Sequence, residues 1–279
     1  MSASRPRYPD DHWLRGHDPA ATLARYLDQQ SKAYSRVKLR FMRQLLGEVA
    51  GKRLLDFGCG GGLLAVEAAR AGAAQVVGMD AEPGILAAAG LLAARRGVGP
   101  ELRLVCRDRL PAPGAYGRFD LIVVKDVLEH IPDDASFLRS ASRLLRPGGG
   151  LVVATQNAWS LNFLLEGGYH RLLRREHDWW GWDPTHLRFY SPRRLRAALQ
   201  AAGLCCAQWR GAYLLPYKIP APPWSGRQFW RVDALSGLDR LLGRVAPFNA
   251  LGWSIMVRAV TPPRPAAVAP TLPSPRPDR

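Results

Sequence analysis

Lysine is scarce in this 279-residue chain: Lys32, Lys38, Lys52, Lys125 and Lys218 are all of it, against a formal net charge of +16. The basicity is therefore almost wholly arginine, scattered along an Ala- and Pro-rich sequence. That scatter suits a compositional bias as well as a binding face, so charge alone selects no substrate. Cysteine is equally sparse, and Cys59, Cys106, Cys205 and Cys206 have no zinc-type spacing. Reduced thiols and a cytoplasmic location are the expectation. No apolar run approaches the roughly 20 residues that span a bilayer. The N-terminal stretch MSASRPRYPDDHWLRGHD has no apolar segment of the signal-peptide kind. A soluble protein, at most peripheral to a membrane, is expected. Internal repeats are also missing.

What is present is a globular composition, 47% hydrophobic and 22% charged, long enough to bury a sizeable core. Apolar residues at helical spacing from Leu23 to Val49 predict one or two leading helices. A strand–helix alternation follows. RLLDFGC, QVVGMDA, LRLVCRD, FDLIVVKDVL and GLVVATQN read as strands, and LLAVEAARAG and EPGILAAAGLLAARRG as helices ending at Gly72 and Gly97. PDDASFLRSASRLLRPGG reads as a helix with Pro and acids in its first turn and Arg143 and Arg146 in its last. Continuous apolar strands joined by helices predict a parallel sheet covered on both faces, with right-handed crossovers.

After Asn157 the rhythm breaks. SLNFLLEGGYHRLLRR looks helical, and Ser191 with Pro192 caps a helix over RRLRAALQAAG. LCCAQWRGAYLL and WSIMVRAV read as strands either side of a Pro-rich excursion and a helix around VDALSGLDRLLGRV. The expected organisation is an N-terminal helical segment over 1–33, a main domain over 34–260 with insertions at 158–190 and 213–248, and a disordered Pro-rich tail over 261–279.

DFGCGGG, Asp56 to Gly62, joins the first strand to the first helix of the alternation, where glycine lets a ligand approach the backbone. Asp80 ends the second strand about 20 residues on, where an acid accepts from ribose hydroxyls. Asp108, after the third strand, suits an exocyclic amino group or ordinary solvation equally well. A nicotinamide site prefers G-x-G-x-x-G/A, and here Leu63 occupies the last glycine position.

LLDFGCGGG, VVGMDA, FDLIVVKDVLEHIPD and LLRPGGGLVV together resemble the class I S-adenosylmethionine-dependent methyltransferases, most closely the subgroup of ubiquinone-type and natural-product O-methyltransferases. The resemblance covers about Tyr34 to Leu204. It implies a doubly wound, Rossmann-like, mostly parallel seven-stranded sheet with helices on both faces. S-adenosylmethionine is the implied cofactor. Gly58, Gly60 and Gly61 would line its methionine part, Asp56 its amino group, Asp80 and Ala81 the ribose, Asp108 the adenine and Lys125 the sulfonium side. Lys38, with Tyr34 beside it, stands where relatives place an arginine that meets the carboxylate, and supplies charge without a bidentate fork.

His130, His186 and Tyr190 are the candidate catalytic residues. His130 in VLEHIP reads as a general base or as support for the loop. In HDWWGWDPTHLRFYSP, His186, Arg188 and Tyr190 order the loop against the strand ends, or His186 faces the acceptor. Trp179, Trp180 and Trp182 read as part of a lid. No metal is expected: His170, His177, Glu166 and Glu176 lack ligand spacing and read as solvated helix residues.

Aromatic side chains concentrate in the three candidate acceptor regions, from Asp10 to Tyr34, Trp159 to Tyr190 and Tyr213 to Phe248. They predict a largely apolar pocket for a phenol or quinol, an isoprenoid or a lipid-linked glycan, with O- or C-methylation. Arg171, Arg174 and Arg175 suit a phosphate, a membrane surface or plain solvation. A nucleic-acid methyltransferase is the rival. The Asn- or Asp-Pro-Pro-aromatic motif of base-amino methylation is replaced by KDVLEH, and no RNA-binding module is visible. A non-catalytic S-adenosylmethionine-binding protein is the third reading.

Overall fold

The computed structural model describes residues 9, 12–181, 183–215, 217–220 and 229–263. Trp182, Trp224, most of the first eleven residues and the expected tail beyond 263 lie outside the described residues. Helices α1 (Pro19–Ser31) and α2 (Ala33–Leu46) lead into β1 (Arg53–Phe57), α3 (Leu63–Arg70), β2 (Gln75–Asp80), α4 (Pro83–Arg95), β3 (Leu102–Cys106) and β4 (Phe119–Lys125). Then come α5 (Asp134–Leu144), β5 (Leu145–Gln156), α6 (Leu161–Gly168), α7 (Pro192–Ala201), β6 (Cys205–Ala212), β7 (Lys218–Pro220), β8 (Phe229–Arg231), α8 (Leu235–Leu242) and β9 (Ser254–Val260).

Seven strands form one sheet in the order β3-β2-β1-β4-β5-β9-β6, and β7 pairs with β8 separately. The first five run parallel, while β9 pairs antiparallel with both β5 and β6. The sheet is thus mostly parallel and doubly wound, as the strand pattern predicts. Chain order reverses between β1 and β4, and ligands bind at the carboxyl ends of strands flanking such a reversal.

Alternation along each strand feeds two cores. Leu55, Phe57, Ile122, Val124, Leu151 and Val153 point to the face covered by α5 and α7. Leu54, Leu121, Val123 and Val152 point to the face covered by α2 and α3. With both faces buried, each strand reads as a continuous apolar run. Leu23 and Tyr26 of α1 enter a third cluster with Val66, Ile85 and Leu92. The segment expected as a separate N-terminal piece therefore packs on the body of the domain through α1.

Two local expectations are corrected. Helix α5 ends at Leu144 and Arg146 lies in β5, not in a last helical turn. Pro147 cannot continue a helix, and Arg146 Nη1 instead reaches Asp120 at 2.8 Å. Pro132 precedes the cap residue Asp133, whose carboxylate accepts from the Ser136 N–H at 2.9 Å. Ser191 caps α7 as predicted, accepting from Arg194 N–H at 3.1 Å.

The antiparallel β9 also fixes α2. Arg258 Nη1 donates to the carbonyls of Leu45 at 3.0 Å and Leu46 at 3.1 Å, two of the acceptors that the helix end leaves unpaired. Hydrogen bonds from a charged donor are worth about 2 kcal/mol. Arg258→Ala should lower the thermal midpoint by roughly 4–8 °C for a domain of this size; an unchanged midpoint would show that the clamp contributes nothing.

Candidate functional site

The glycine turn leaves β1 at the chain reversal. Gly58 has φ +75°, and a Cβ there would run into the Val127 side chain. Its N–H and that of Cys59 donate to the Met79 carbonyl at 2.7 and 2.9 Å, while the Gly60 N–H donates to Asp80 Oδ2 at 2.9 Å. Asp80 Oδ1 accepts from the Glu82 N–H at 3.1 Å. The carboxylate is thereby fixed at the end of β2 with its oxygens toward the loop.

A cavity of about 1300 Å³ opens here, lined by Gly58, Gly60, Asp80, Ala81, Asp108 and Lys125. These are six of the expected cofactor residues, and His130 is on the same wall. Asp80, Glu82, Asp108, Asp126 and Asp133 outnumber Arg109, Lys125 and Arg143 around it. A strongly basic chain has thus gathered an acidic lining. That chemistry fits a ligand carrying a sulfonium and an ammonium group, and the size and the turn fit a nucleoside.

Four expected cofactor residues stand elsewhere. Gly61 is packed under the Tyr26 ring, which a Cβ would penetrate, so its smallness serves helix packing. Lys38 is buried, and its ammonium is bonded to Asp126 Oδ1 instead of standing free for a carboxylate. Burial alone would lower the Lys38 pKa, but the Asp126 charge outweighs it and holds the group above the lysine range. The Lys38 and Lys125 charges likewise hold Asp126 low against its own burial. Tyr34 lies behind this pair, with its hydroxyl 3.4 Å from Lys38 Nζ and its ring edge-on to Tyr213.

Asp56 is buried below the turn. Its burial, with the Asp80 charge adding, pushes the carboxyl up to about 7, against the pull of Lys125 and the Ala65 N–H.

The candidate catalytic residues separate as well. Tyr190 is fully buried in the α5–α7 core, and its hydroxyl donates to Asp134 Oδ2 at 2.5 Å. Burial and that bond push the phenol up, so it stays protonated and orders the loop. Arg188 does the same, donating to the carbonyls of Ile131 and Pro132 at 2.9 and 3.0 Å.

His130 and His186 come together with Glu129, their ligand atoms all within 4.8 Å. His130 Nδ1 is 3.0 Å from the Thr185 carbonyl and His186 Nδ1 is 2.9 Å from the Trp180 carbonyl. With each Nδ1–H donating, both Nε2 atoms keep a lone pair, the arrangement that orients a ligating or basic imidazole. Glu129 Oε2 accepts from Thr155 Oγ1 at 2.8 Å, while its buried Oε1 has no hydrogen-bond partner among the described residues. Burial, with His186 adding and Glu129 opposing, holds His130 below the ordinary histidine range. The group can take a proton or hold a cation.

The sequence pairs Glu129 with His130 in VLEHIP, but nothing local joins them to His186, which comes from a distant loop. Asp126 was also missed, although an acid directly after β4 was its signal. Conversely, His170 is no solvated helix residue. It is buried, 2.6 Å from Glu176 and stacked on Trp179 at 4.4 Å. Trp179 and Trp180 stack on Phe163 inside the insertion and are not on the cavity wall.

The high pKa of Asp56 has a thermodynamic consequence. Between about pH 4 and about pH 7 the folded chain holds a proton that the unfolded chain has lost, so the contribution of this group to stability falls as pH rises through that window. Asp56→Asn should match the parent near the bottom of the window and exceed it above pH 7 in urea unfolding without added ligand. Parallel stability curves would refute the assignment.

A family model described as a methyltransferase domain matches residues 26–208. The ubiquinone biosynthesis O-methyltransferase of Bordetella avium is 33% identical over 75% of this chain and 87% of its own. That of Methylobacterium sp. is 36% identical over 60% of this chain and 66% of its own. Among solved structures, the magnesium protoporphyrin IX methyltransferase of Synechocystis superposes with a TM-score of 0.56 at 15% identity, over 89% of this chain and 97% of its own. With the chain reversal, the glycine turn and Asp80 in their places, the chain belongs to the S-adenosylmethionine-dependent methyltransferases of class I.

Proposed function

We propose that this methyltransferase acts on the hydroxyl of a small, largely apolar acceptor of the phenol or quinol class. The observation that carries the reading is the Glu129–His130–His186 cluster beside the acidic cavity. The similarity to ubiquinone biosynthesis O-methyltransferases supports it. A phenolic hydroxyl is a poor nucleophile until it loses its proton, and a group to receive that proton is at hand. Isoprenoid and lipid-linked hydroxyls belong to the same chemistry and are acceptors to compare.

S-adenosylmethionine supplies an electrophilic methyl group on a cationic sulfur. The side chains hold it and prepare the acceptor. Asp80 would accept from the ribose hydroxyls, with Ala81 beside it. The Gly58 and Gly60 backbone would approach the methionine part. Asp108 would accept from the adenine amino group and the Lys125 backbone would lie beside the sulfur, while Asp56 stays below the turn, off the cavity wall.

His130, kept neutral at physiological pH by burial, accepts the acceptor's proton at Nε2, and His186 holds the neighbouring position against it. A well-placed base of this kind contributes about 100- to 10,000-fold. A divalent cation held by Glu129, His130 and His186 would lower the hydroxyl pKa instead, and the orphaned Glu129 oxygen favours that second reading.

Transfer of labelled methyl from the cofactor to a panel of phenols, quinols, prenyl alcohols and lipid-linked sugars tests the acceptor class; turnover on RNA alone would overturn it. Asp80→Ala should weaken cofactor binding by about 100-fold in calorimetry, because two charge-assisted hydrogen bonds go. His130→Ala should lower kcat by about 100-fold or more and leave cofactor affinity intact. Activity abolished by a chelator and restored by a divalent cation selects the second reading, and activity unaffected by it selects the first.

A further inference from the structure

The methionine end of S-adenosylmethionine carries an ammonium and a carboxylate, two charges of opposite sign beside the sulfonium. The glycine turn offers the carboxylate very little. Its N–H groups are spent on the chain itself: Gly58 and Cys59 donate to the Met79 carbonyl, Gly60 to Asp80 Oδ2, Gly62 to the Cys59 carbonyl at 3.0 Å and Leu63 to the Tyr26 hydroxyl at 3.4 Å. The start of a helix after such a turn is a ready anion site, but in α3 the Ala65 N–H already donates to a carboxyl group of the chain, that of Asp56.

Side chains do not make up the deficit. Lys38 is buried, bonded to Asp126, and stands off the cavity wall. Lys125 is on the wall, with its Nζ 3.2 Å from Asp126 Oδ2. One carboxylate thus holds both lysines. Arg109 lies 4.0 Å from Asp108, and Arg15 pairs with Glu82 at 3.4 Å. Arg143 also lines the cavity, but it stands in the last turn of α5, about 15 Å along that helix from Asp133. Asp80 and Asp126 meanwhile leave the wall near the turn acidic. An ammonium suits such a wall, and a carboxylate is repelled by it.

We infer that this site does not read the carboxylate of its cofactor: it takes adenosyl sulfonium amines as a class, decarboxylated S-adenosylmethionine as well as S-adenosylmethionine. The two ligands share the adenosine, the sulfonium and the ammonium. They differ in a negative charge for which the described residues at the turn hold no spare cation. Removing that charge leaves the ligand with two positive charges, and the excess of acids on the wall favours the change. The inference rests on the cofactor placement given above and is independent of the acceptor.

Calorimetric titration of the full chain with each ligand, without acceptor, is the test. A site that met the carboxylate through a charged hydrogen bond would lose about tenfold or more in affinity when it is removed. Here the decarboxylated ligand should bind within about threefold of S-adenosylmethionine, or more tightly, and any larger loss overturns the inference. Lys38→Met adds a second measurement. With Lys38 committed to Asp126, the substitution should change the affinity for both ligands by the same factor. A loss confined to S-adenosylmethionine would show that Lys38 meets the carboxylate, and would overturn the inference; if the variant does not fold, the ratio measured on the parent decides alone. Failure of S-adenosylmethionine itself to bind would overturn the cofactor placement as well, a result distinct from firm S-adenosylmethionine binding with a lagging decarboxylated ligand.

Discussion

The pair of buried Lys38 and half-buried Asp126 is the constraint around which the site is arranged. Asp126 follows β4 directly, has φ +56°, and carries its carboxylate between Lys38 of α2 and Lys125 of the strand end. Such an ion pair gains little net stability, because Lys38 loses its water and Asp126 part of its own. What it gives is position. It ties the helix that precedes the sheet to the strand at the chain reversal, and it accounts for a backbone conformation that aspartate tolerates better than bulkier residues. Val127 and His130 then follow from that bend into the cavity wall, with Glu129 buried behind them.

The distribution of charge matters more than its total. The net charge of +16 is carried largely by arginines on the outside, while acids concentrate on the cavity. The cofactor of this family is itself cationic at sulfur and nitrogen, so the field that counts is the local one. Low local dielectric strengthens it, and the same burial raises Asp56 and lowers His130. A single desolvating environment thus holds both groups in their neutral forms, Asp56 with its proton up to about pH 7 and His130 without one, free to accept it.

Aromatic residues in the insertion serve packing before recognition. Trp179, Trp180, Phe163 and Phe189 stack among themselves and hold His170 and Arg171. Their rings make a small core that leaves the leucines of α6 outside. The loop carrying Thr185 and His186 hangs from that core, which is how a cap distant from the glycine turn governs the far wall of the site.

The mostly parallel sheet, the order of its strands and helices up to β5, the Ser191 cap and the glycine turn with Asp80 were legible in the sequence, whereas the start of β5 was not. They depend on local rules: apolar runs for strands buried on both faces, glycine where a side chain has no room, an acid at a strand end. Elsewhere local rules could not decide. Whether Gly61 serves the ligand or the Tyr26 ring depends on where α1 packs, and whether Lys38 meets a carboxylate or Asp126 depends on a contact 88 residues away in the chain. The meeting of His130 with His186 spans 56 positions and is made by backbone carbonyls of a loop without regular structure. The sequence by itself determined the fold and the cofactor turn, because periodicity and steric room are properties of neighbouring residues. The tertiary structure alone decided which charges are paired, which histidines face each other and which face of α6 meets solvent, because those depend on packing between segments distant in the chain.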